Sequence, residues 1–188
     1  MLPVEPVDDV EVVVAVEPST VNVAQDDMLD QWGATPYGAL SLLLVHLRWL
    51  GLVAQTHHWI SSGDSFYGDH LMFDRIYSNI AEDIDTVAEK AVGMGTEHNV
   101  DINMHVAQLA CLAGTYGSAQ TIPNPNKLAS RTLIAEEAFM KCLDDCIARM
   151  DEEGTLTNGL ENMLQGLRDR HEQNCYLLKR RCASMGVT

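Results

Sequence analysis

The sequence predicts an all-α protein with four long helices and one long connection between the second and the third. Apolar residues recur at the spacing of an amphipathic helix in four stretches, and breaks rich in Gly, Pro or Ser separate them. The chain has 188 residues, 46% of them hydrophobic, which suffices for one domain with a hydrophobic core. We therefore expect a single helical domain.

The first predicted helix begins at Thr35 and Pro36, because a capping Thr followed by proline at the first helical position is a typical helix start. It extends to about Ile60, where the sequence SSGDS interrupts the pattern. Its apolar residues lie at helical spacing: Leu40, Leu43, Leu44, Leu47 and Leu50.

The second predicted helix follows this break, and Asp64 or Ser65 can cap it. The helical spacing continues until Gly93 and Gly95, which are expected to end the helix. The apolar residues of this stretch are Phe66, Phe73, Ile76, Tyr77, Ile80, Ile84, Val87, Ala88 and Ala91.

Residues 96–125 form the long connection, and 99–112 within it predicts a short amphipathic helix that crosses the bundle. After a Gly- and Pro-rich segment, NPNK opens the third long helix, which Gly154 ends. Thr155 or Thr157 begins the fourth. Four long helices with one long middle crossover describe a ferritin-like four-helix bundle, here with a short helix in the crossover.

Residues 1–34 differ in composition from the rest of the chain. They contain eight acids, no Lys or Arg, and prolines at positions 3, 6 and 18. This composition predicts an acidic, extended tail ahead of a ferritin-like domain at 35–188. The alternating valines of 10–16 also allow a short strand, which would need a partner strand.

The charge balance bears on the location and partners of the protein. The net charge of −15 opposes binding to a phosphate backbone and suits a protein that attracts cations. His46, Arg48 and Gly51 interrupt the longest apolar runs, so we predict no membrane helix. The N-terminus has acids where a secretory signal has basic residues, and we expect a cytoplasmic protein.

The five cysteines are an odd number and contain no CxxC pair, which argues against a disulfide framework and a zinc knuckle. We expect reduced thiols that pack as small core residues, although a metal-binding role stays open. The cysteines are Cys111, Cys142, Cys146, Cys175 and Cys182.

Four metal-capable residues form one stripe on the second helix: His70, Asp74, Asp85 and Glu89, separated by 4, 11 and 4 residues. At about 100° per residue they lie within a sector of about 100°. Asp74 and Asp85 are about 16 Å apart along the axis, whereas metal–ligand bonds are near 2 Å. One helix therefore cannot close a site. For any single His or Asp, an ordinary solvated position is the alternative.

Two copies of this helix, packed antiparallel about a two-fold axis, would complete the stripe. A crossing centred near Asn79 and Ile80 places His70 opposite Glu89 and Asp74 opposite Asp85. An isologous interface of this kind contains two mixed sites, one at each end. Imidazole and carboxylate ligands suit Fe(II), and open coordination positions would admit peroxide or a dioxygen species.

The segment HHWISSGDSFYGDHLMFDRIYSNIAEDIDTVAEKAVGMG resembles the Dps miniferritins. Their motif is a His-Trp pair, a second His twelve residues later, an Asp four further on, and an Asp/Glu pair eleven and fifteen after that. All five positions match in this sequence. They are occupied by His58, which the first helix can add to the stripe, and by the four stripe residues. The resemblance covers residues 36–96 and extends more weakly over the last two helices, where HEQNCYLL is similar to HEKxxWML.

The resemblance implies a dodecameric shell with tetrahedral symmetry and ferroxidase sites at its two-fold interfaces. His58, His70 and Asp74 would come from one subunit, and Asp85 and Glu89 from its mate. Fe(II) would be oxidised to Fe(III), with peroxide as the favoured oxidant, and ferric mineral would be held inside.

The chain departs from the family pattern at several positions. Leu71 and Arg75 stand where many members have acids to which mineral nucleation is attributed, so oxidation is a firmer expectation than storage. Tyr176 replaces a family Trp, whereas Trp59 is retained. The acidic tail lacks the basic residues of DNA-binding members. The only basic cluster, residues 179–181, is expected to interact with the dipole of its helix.

The remaining candidates are weaker. His57 lies about 100° round the helix from His58 and should face away from the site. His46 and His171 are expected in the core. Acids near the end of the third long helix could line a three-fold entry pore or an ordinary solvated helix end. They are Asp144, Asp145, Asp151, Glu152 and Glu153.

The sequence allows three functions. The first is an oligomeric ferroxidase that sequesters iron and protects against oxidative stress. The second is a non-enzymatic shell or scaffolding protein that kept the fold, which the missing nucleation acids keep open. The third is a DNA-compacting protein, which the net charge opposes.

Overall fold

The computed structural model describes residues 37–116 and 127–184. Within these ranges the chain is all-α, which confirms the predicted fold class. The predicted tail at 1–34, the strand at 10–16 and the helix start at Thr35 and Pro36 lie outside the described residues. The helices are α1 (Gly38–Ile60), α2 (Phe66–Met94), α3 (Ile102–Tyr116), α4 (Leu128–Glu152) and α5 (Asn158–Ser184).

The four long helices pack as a bundle around α1. Helix α1 lies against α2 and α4, α4 lies against α5, and α3 crosses over α1. By length and composition α1 could cross a membrane, but 78% of its most apolar window is buried inside the chain. The central core helix of a soluble bundle has the same composition, because it is surrounded by other helices.

The end of α1 and both ends of α2 agree with the predictions to within a few residues. Tyr37 has a φ of 62°, in the left-handed region, so the described helix begins at Gly38. Ser65 is the first flanking residue of α2, as predicted, but its side chain makes no capping hydrogen bond. Helix α2 ends at Met94, directly before Gly95.

The crossover helix begins later and is longer than the predicted 99–112. A 3₁₀ turn at Glu97–Val100 precedes α3, and Asp101 Oδ1 then accepts hydrogen bonds from the backbone N–H groups of Asn103 and Met104. This side-chain cap fixes the helix start. The prediction missed it because the amphipathic pattern continues through the turn.

A buried hydrogen bond attaches the crossover to α1. The hydroxyl of Ser41 on α1 donates to the carbonyl oxygen of Asn99 at 2.5 Å, and within the crossover Nε2 of His105 lies 3.1 Å from the same oxygen. Burial, together with the charge of Arg48, lowers the pKa of His105. We therefore expect a neutral ring whose Nε2–H donates to the carbonyl.

The start of α5 confirms the second of the two predicted positions. Thr157 Oγ1 accepts a hydrogen bond from the backbone N–H of Leu160 at 3.2 Å, as a capping residue does. Gly154, with a φ of 67°, forms the turn after α4. Glycine adopts this conformation without the steric cost of a side chain.

Four of the five cysteines occupy the positions expected of small core residues. None is in a disulfide, and four of the five are buried, whereas Cys111 is exposed. The sulfur atoms of Cys142 and Cys146 are 4.0 Å apart on one face of α4. A hydrogen bond with Cys142, together with burial, raises the pKa of Cys146 well above its ordinary value. The thiol of Cys146 is therefore protonated and packed in the core.

Candidate metal centre

His58 and His70 are held face to face by two reciprocal hydrogen bonds. Nδ1 of His58 lies 3.0 Å from the backbone carbonyl oxygen of His70, and Nδ1 of His70 lies 3.0 Å from that of His58. The rings are stacked, with centroids 3.8 Å apart and an interplanar angle of 23°. The end of α1 and the start of α2 thus bring these two candidate ligands together.

These bonds determine which ring nitrogens can bind a metal. A carbonyl oxygen only accepts hydrogen bonds, so each Nδ1 must carry the hydrogen and donate it. In the neutral rings each Nε2 then has a lone pair for a ligand. Imidazoles oriented through their other nitrogen in this way are typical of metal sites.

The stacking of the rings also bears on the number of ions. The lone pair of each Nε2 lies in the plane of its ring, and the two planes are nearly parallel. An ion bound in the plane of one ring would lie out of the plane of the other. One ion is therefore not expected to bind both rings in their planes.

The three predicted carboxylates lie along α2. Asp74 is one helical turn after His70 and is half-buried, whereas Asp85 and Glu89 are exposed farther along the helix. In the described part of one chain, no three His, Cys, Asp or Glu side chains form a group that could hold a metal ion. Of the five predicted ligands, only His58 and His70 contact each other within one chain.

Apolar side chains surround the histidine pair. The ring of Phe66 lies 5.1 Å from that of His70, and the ring of Tyr77 meets His58 edge-on at 5.3 Å. Contiguous exposed apolar surface is typical of protein interfaces. The exposed large apolar residues near this turn are Trp59, Ile60, Phe66, Tyr67 and Leu71.

An open apolar groove of about 420 Å³ lies between α1 and α2 and reaches α3. Its side chains include Leu52, Tyr77, Ala81, Ile84 and Leu109. Leu52 leaves 49% of its surface exposed there, although it is a large apolar residue. The groove lies on the same side of α2 as Tyr77, one turn beyond Asp74.

The side chain of Ile80 is not available for the contact that the sequence predicted at this point of α2. The sequence placed Ile80 at the centre of a contact between two chains, but its side chain is completely buried. It packs against Gly51, where an added Cβ would lie 3.3 Å from Ile80 Cγ2. The prediction that Ile80 itself contacts a second chain is therefore wrong. The exposed residues of the groove are the ones available to a second helix.

Three other histidines lie where the helical spacing predicted. His57 is buried on α1 with its Nδ1 2.6 Å from Thr132 Oγ1, so it faces away from His58. His46 and His171 are buried in the bundle. These positions confirm that only His58, of the two adjacent histidines, faces the candidate centre.

A buried ionic cluster around His171 was missed by the sequence analysis. His171 lies between Asp83 of α2 and Glu136 of α4. A signal was present, because Asp83 occurs at helical spacing between Ile80 and Val87 and so points into the core. An acid in an apolar stripe requires a buried partner.

The basic cluster of α5 binds to neighbouring helices. Lys179 Nζ lies 2.9 Å from a carboxylate oxygen of Glu137, and Arg181 binds both oxygens of Asp69 at 2.5 and 2.9 Å. The prediction that this cluster interacts with the helix dipole is therefore incomplete, because two of the three cations also form ion pairs with other helices.

The acids near the end of α4 are partly neutralised within the chain. Ion pairs of this kind are typical of a solvated helix end and give no support to an entry pore, which stays a prediction. The pairs are Asp144 with Arg168, Asp145 with Lys141 at 2.9 Å, and Glu153 with Arg149 at 2.8 Å.

Comparison with known sequences gives distant relatives. No family model matches the chain. An uncharacterised low temperature-induced protein of Nostoc sp. is 23% identical over 159 residues, covering 85% of this chain and 77% of that protein. A nutrient stress-induced DNA-binding protein of Nostoc sp. is 24% identical over 153 residues, covering 79% of this chain and 78% of that protein.

Comparison with solved structures defines the class of fold as the ferritin-like four-helix bundle of the Dps proteins. Dps from Thermosynechococcus elongatus matches with a TM-score of 0.62 at 14% identity, covering 86% of this chain and 93% of that one. DpsC from Streptomyces coelicolor matches with a TM-score of 0.56 at 22% identity, covering 89% and 87%. The likeness to the Dps miniferritins inferred from the sequence is thus confirmed for the fold.

Proposed function

We propose that the protein is a Dps-type ferroxidase that oxidises Fe(II) to Fe(III) at dinuclear sites shared between two chains. His58, His70 and Asp74 of one chain would bind the iron together with Asp85 and Glu89 of its mate. The observation that best supports this is the reciprocal hydrogen bonding of His58 and His70, which leaves both Nε2 atoms available as ligands.

The chemistry of the ligand set fits the substrate. Neutral imidazoles and carboxylates together suit Fe(II), which is intermediate between soft and hard metal ions. Two ferrous ions supply the two electrons that reduce one peroxide, with two protons, to two water molecules. A site for two neighbouring ions therefore matches the electron count, and the stacked histidines support such a site.

The need for a second chain follows from the positions of the acids. Asp85 lies about 16 Å along α2 from Asp74, so it cannot join the same centre within one chain. A second copy packed antiparallel in the groove between α1 and α2 would bring its Asp85 and Glu89 to the histidine pair. The exposed surface of Leu52 and the open groove support this contact.

The wider role follows the same family likeness. We propose a cytoplasmic homo-oligomer, a dodecamer of two-fold dimers, which uses peroxide or dioxygen and protects against oxidative stress. Residues 1–34 would form a separate acidic tail ahead of the domain at 35–188. One relative is named a DNA-binding protein, but the net charge of −15 opposes that role in this chain.

The test is the rise in ferric absorbance after Fe(II) and peroxide are mixed with the protein. The double variant Asp85→Ala with Glu89→Ala should lose the rapid phase. A matched control, Glu97→Ala with Glu161→Ala, removes the same charge from exposed positions outside the stripe and should keep it. An unchanged rate in the first variant would rule out the proposed site.

A non-enzymatic shell protein is the second candidate. Leu71 and Arg75 are exposed on α2 in place of the acids that the family resemblance associates with mineral nucleation. A shell that assembles but neither oxidises nor retains iron would identify this function. Light scattering together with iron analysis after gel filtration distinguishes the two candidates.

A further inference from the structure

His171 links three helices in the interior of the bundle. Its Nδ1 lies 2.6 Å from Glu136 Oε2 on α4, and its Nε2 lies 3.4 Å from Asp83 Oδ2 on α2. The side chains of His171 and Glu136 are completely buried, and that of Asp83 is 3% exposed. We call Asp83, Glu136 and His171 the His171 bridge.

The carboxylates of the bridge have additional partners. Arg170, beside His171 on α5, binds Asp83 Oδ1, and Asn174 Nδ2 donates to Glu136 Oε1 at 3.0 Å. The ring of Phe139 packs 4.3 Å from the imidazole ring. Two carboxylates and one guanidinium leave a net charge of −1, which a protonated His171 would balance.

The protonation state of His171 decides how many contacts the bridge can make. A neutral imidazole has one N–H and can donate to only one of the two carboxylates, leaving its other nitrogen lone pair toward an anion. An imidazolium has a donor on each nitrogen and faces a carboxylate on each side. A buried charge is tolerated only when it is paired in this way.

We propose that the His171 bridge is a proton-dependent link between α2, α4 and α5, closed when His171 is charged and weakened when alkaline pH removes the proton. This link is independent of iron and of the proposed ferroxidase activity. It makes the stability of the bundle depend on pH through one buried residue.

The direction of the pH dependence follows from the environment of His171. Burial alone would lower the pKa of His171, but its contact with Asp83 at 3.4 Å, its hydrogen bond with Glu136 and the charges of both carboxylates outweigh burial and raise that pKa to about 9. In the unfolded chain the pKa has its ordinary value of 6.5. The stabilisation is therefore complete below pH 6.5 and is lost as pH rises through about 9.

The neighbouring titratable groups do not reverse this expectation. Burial, followed by Glu136 and Glu137, raises the pKa of Cys175 to about 12, so that thiol stays neutral across the same range. On α1, His57 is bound to Thr132 of α4. The charged groups facing the imidazole are thus Asp83 of α2 and Glu136 of α4, with Arg170 next to it on α5.

The direct experiment is a pH titration of the histidine ring signals by NMR in protein labelled at histidine. One of the seven histidines should titrate near pH 9, and His171→Gln should remove that signal. If all seven histidines of the wild type titrate below about pH 7.5, close to the ordinary histidine pKa, the proposal is overturned. This outcome does not depend on whether His171→Gln folds.

Equilibrium unfolding provides the second measurement. Between pH 6.5 and 9.5, the advantage of the wild type over His171→Gln in the unfolding equilibrium constant should shrink by about 100-fold, since each pH unit of pKa shift is tenfold and half of the unfolded chains are already deprotonated at pH 6.5. The control His105→Gln alters a buried histidine whose pKa is lowered, so its difference from wild type should be constant over this range. A constant difference for His171→Gln would also overturn the proposal.

Discussion

Leu52→Asp should separate two chains while leaving every proposed iron ligand in place. Leu52 lies in the groove between α1 and α2 and is 49% exposed in a single chain. Complete burial of a leucine contributes about 1.5–3 kcal/mol, so covering its exposed half contributes about 1 kcal/mol per chain. A two-fold contact contains the residue twice, which makes about 2 kcal/mol.

The introduced carboxylate adds a larger penalty. Burying an unpaired charge costs several kcal/mol in real proteins, and the symmetric contact would bury two. The sum is about 6 kcal/mol or more per pair of chains, which corresponds to association weaker by about 10⁴-fold. The folded single chain should tolerate the change, because the side chain is already partly in solvent.

Sedimentation velocity and the rate of ferric absorbance rise measure the two consequences. We expect Leu52→Asp to sediment as smaller species and to oxidise Fe(II) far more slowly than wild type. The control Ile134→Asp changes an apolar residue of α4 that is 57% exposed and outside the groove, and it should keep the two-chain contact. A Leu52→Asp protein that dissociates but oxidises iron at the wild-type rate would refute the shared site.

Two further predictions concern the bundle. Thr132→Val keeps the shape of the side chain but removes the hydroxyl that lies 2.6 Å from Nδ1 of the buried His57, so the free energy of unfolding should fall by about 1–3 kcal/mol. Denaturant melts would show this, and an unchanged midpoint would contradict it. Iodoacetamide at pH 8 should modify the exposed Cys111 faster than the buried Cys175, because burial raises the pKa of Cys175 to about 12. Mass spectrometry would measure the labelling, and equal rates at the two cysteines would contradict the burial of Cys175.

Helical periodicity was sufficient to predict the long helices because their apolar faces are continuous. The end of α2 at Gly95 and the capping role of Thr157 follow from local chemistry that the sequence displays. The start of α3 was missed because its cap, Asp101, lies inside an amphipathic stretch. Local patterns cannot indicate which of several polar residues will accept the first backbone N–H groups.

The candidate site shows a similar division. Spacing along α2 identified the stripe and showed that one chain could not complete it. The reciprocal bonds of His58 and His70 depend on the angle at which α1 meets α2, which no sequence pattern specifies. The burial of Ile80 and the pairing of Asp83 with His171 depend likewise on packing between distant segments.

The central claim is that each iron site uses ligands from two chains, and mixed assemblies test it most directly. The variant His70→Ala with Asp74→Ala and the variant Asp85→Ala with Glu89→Ala should each be inactive alone. Co-expressed in equal amounts with two different tags and purified together, they should regain about a quarter of the wild-type rate, because half of randomly formed pairs are mixed and each mixed pair has one intact site of two. Activity in either variant alone, or none in the mixture, would contradict a shared site.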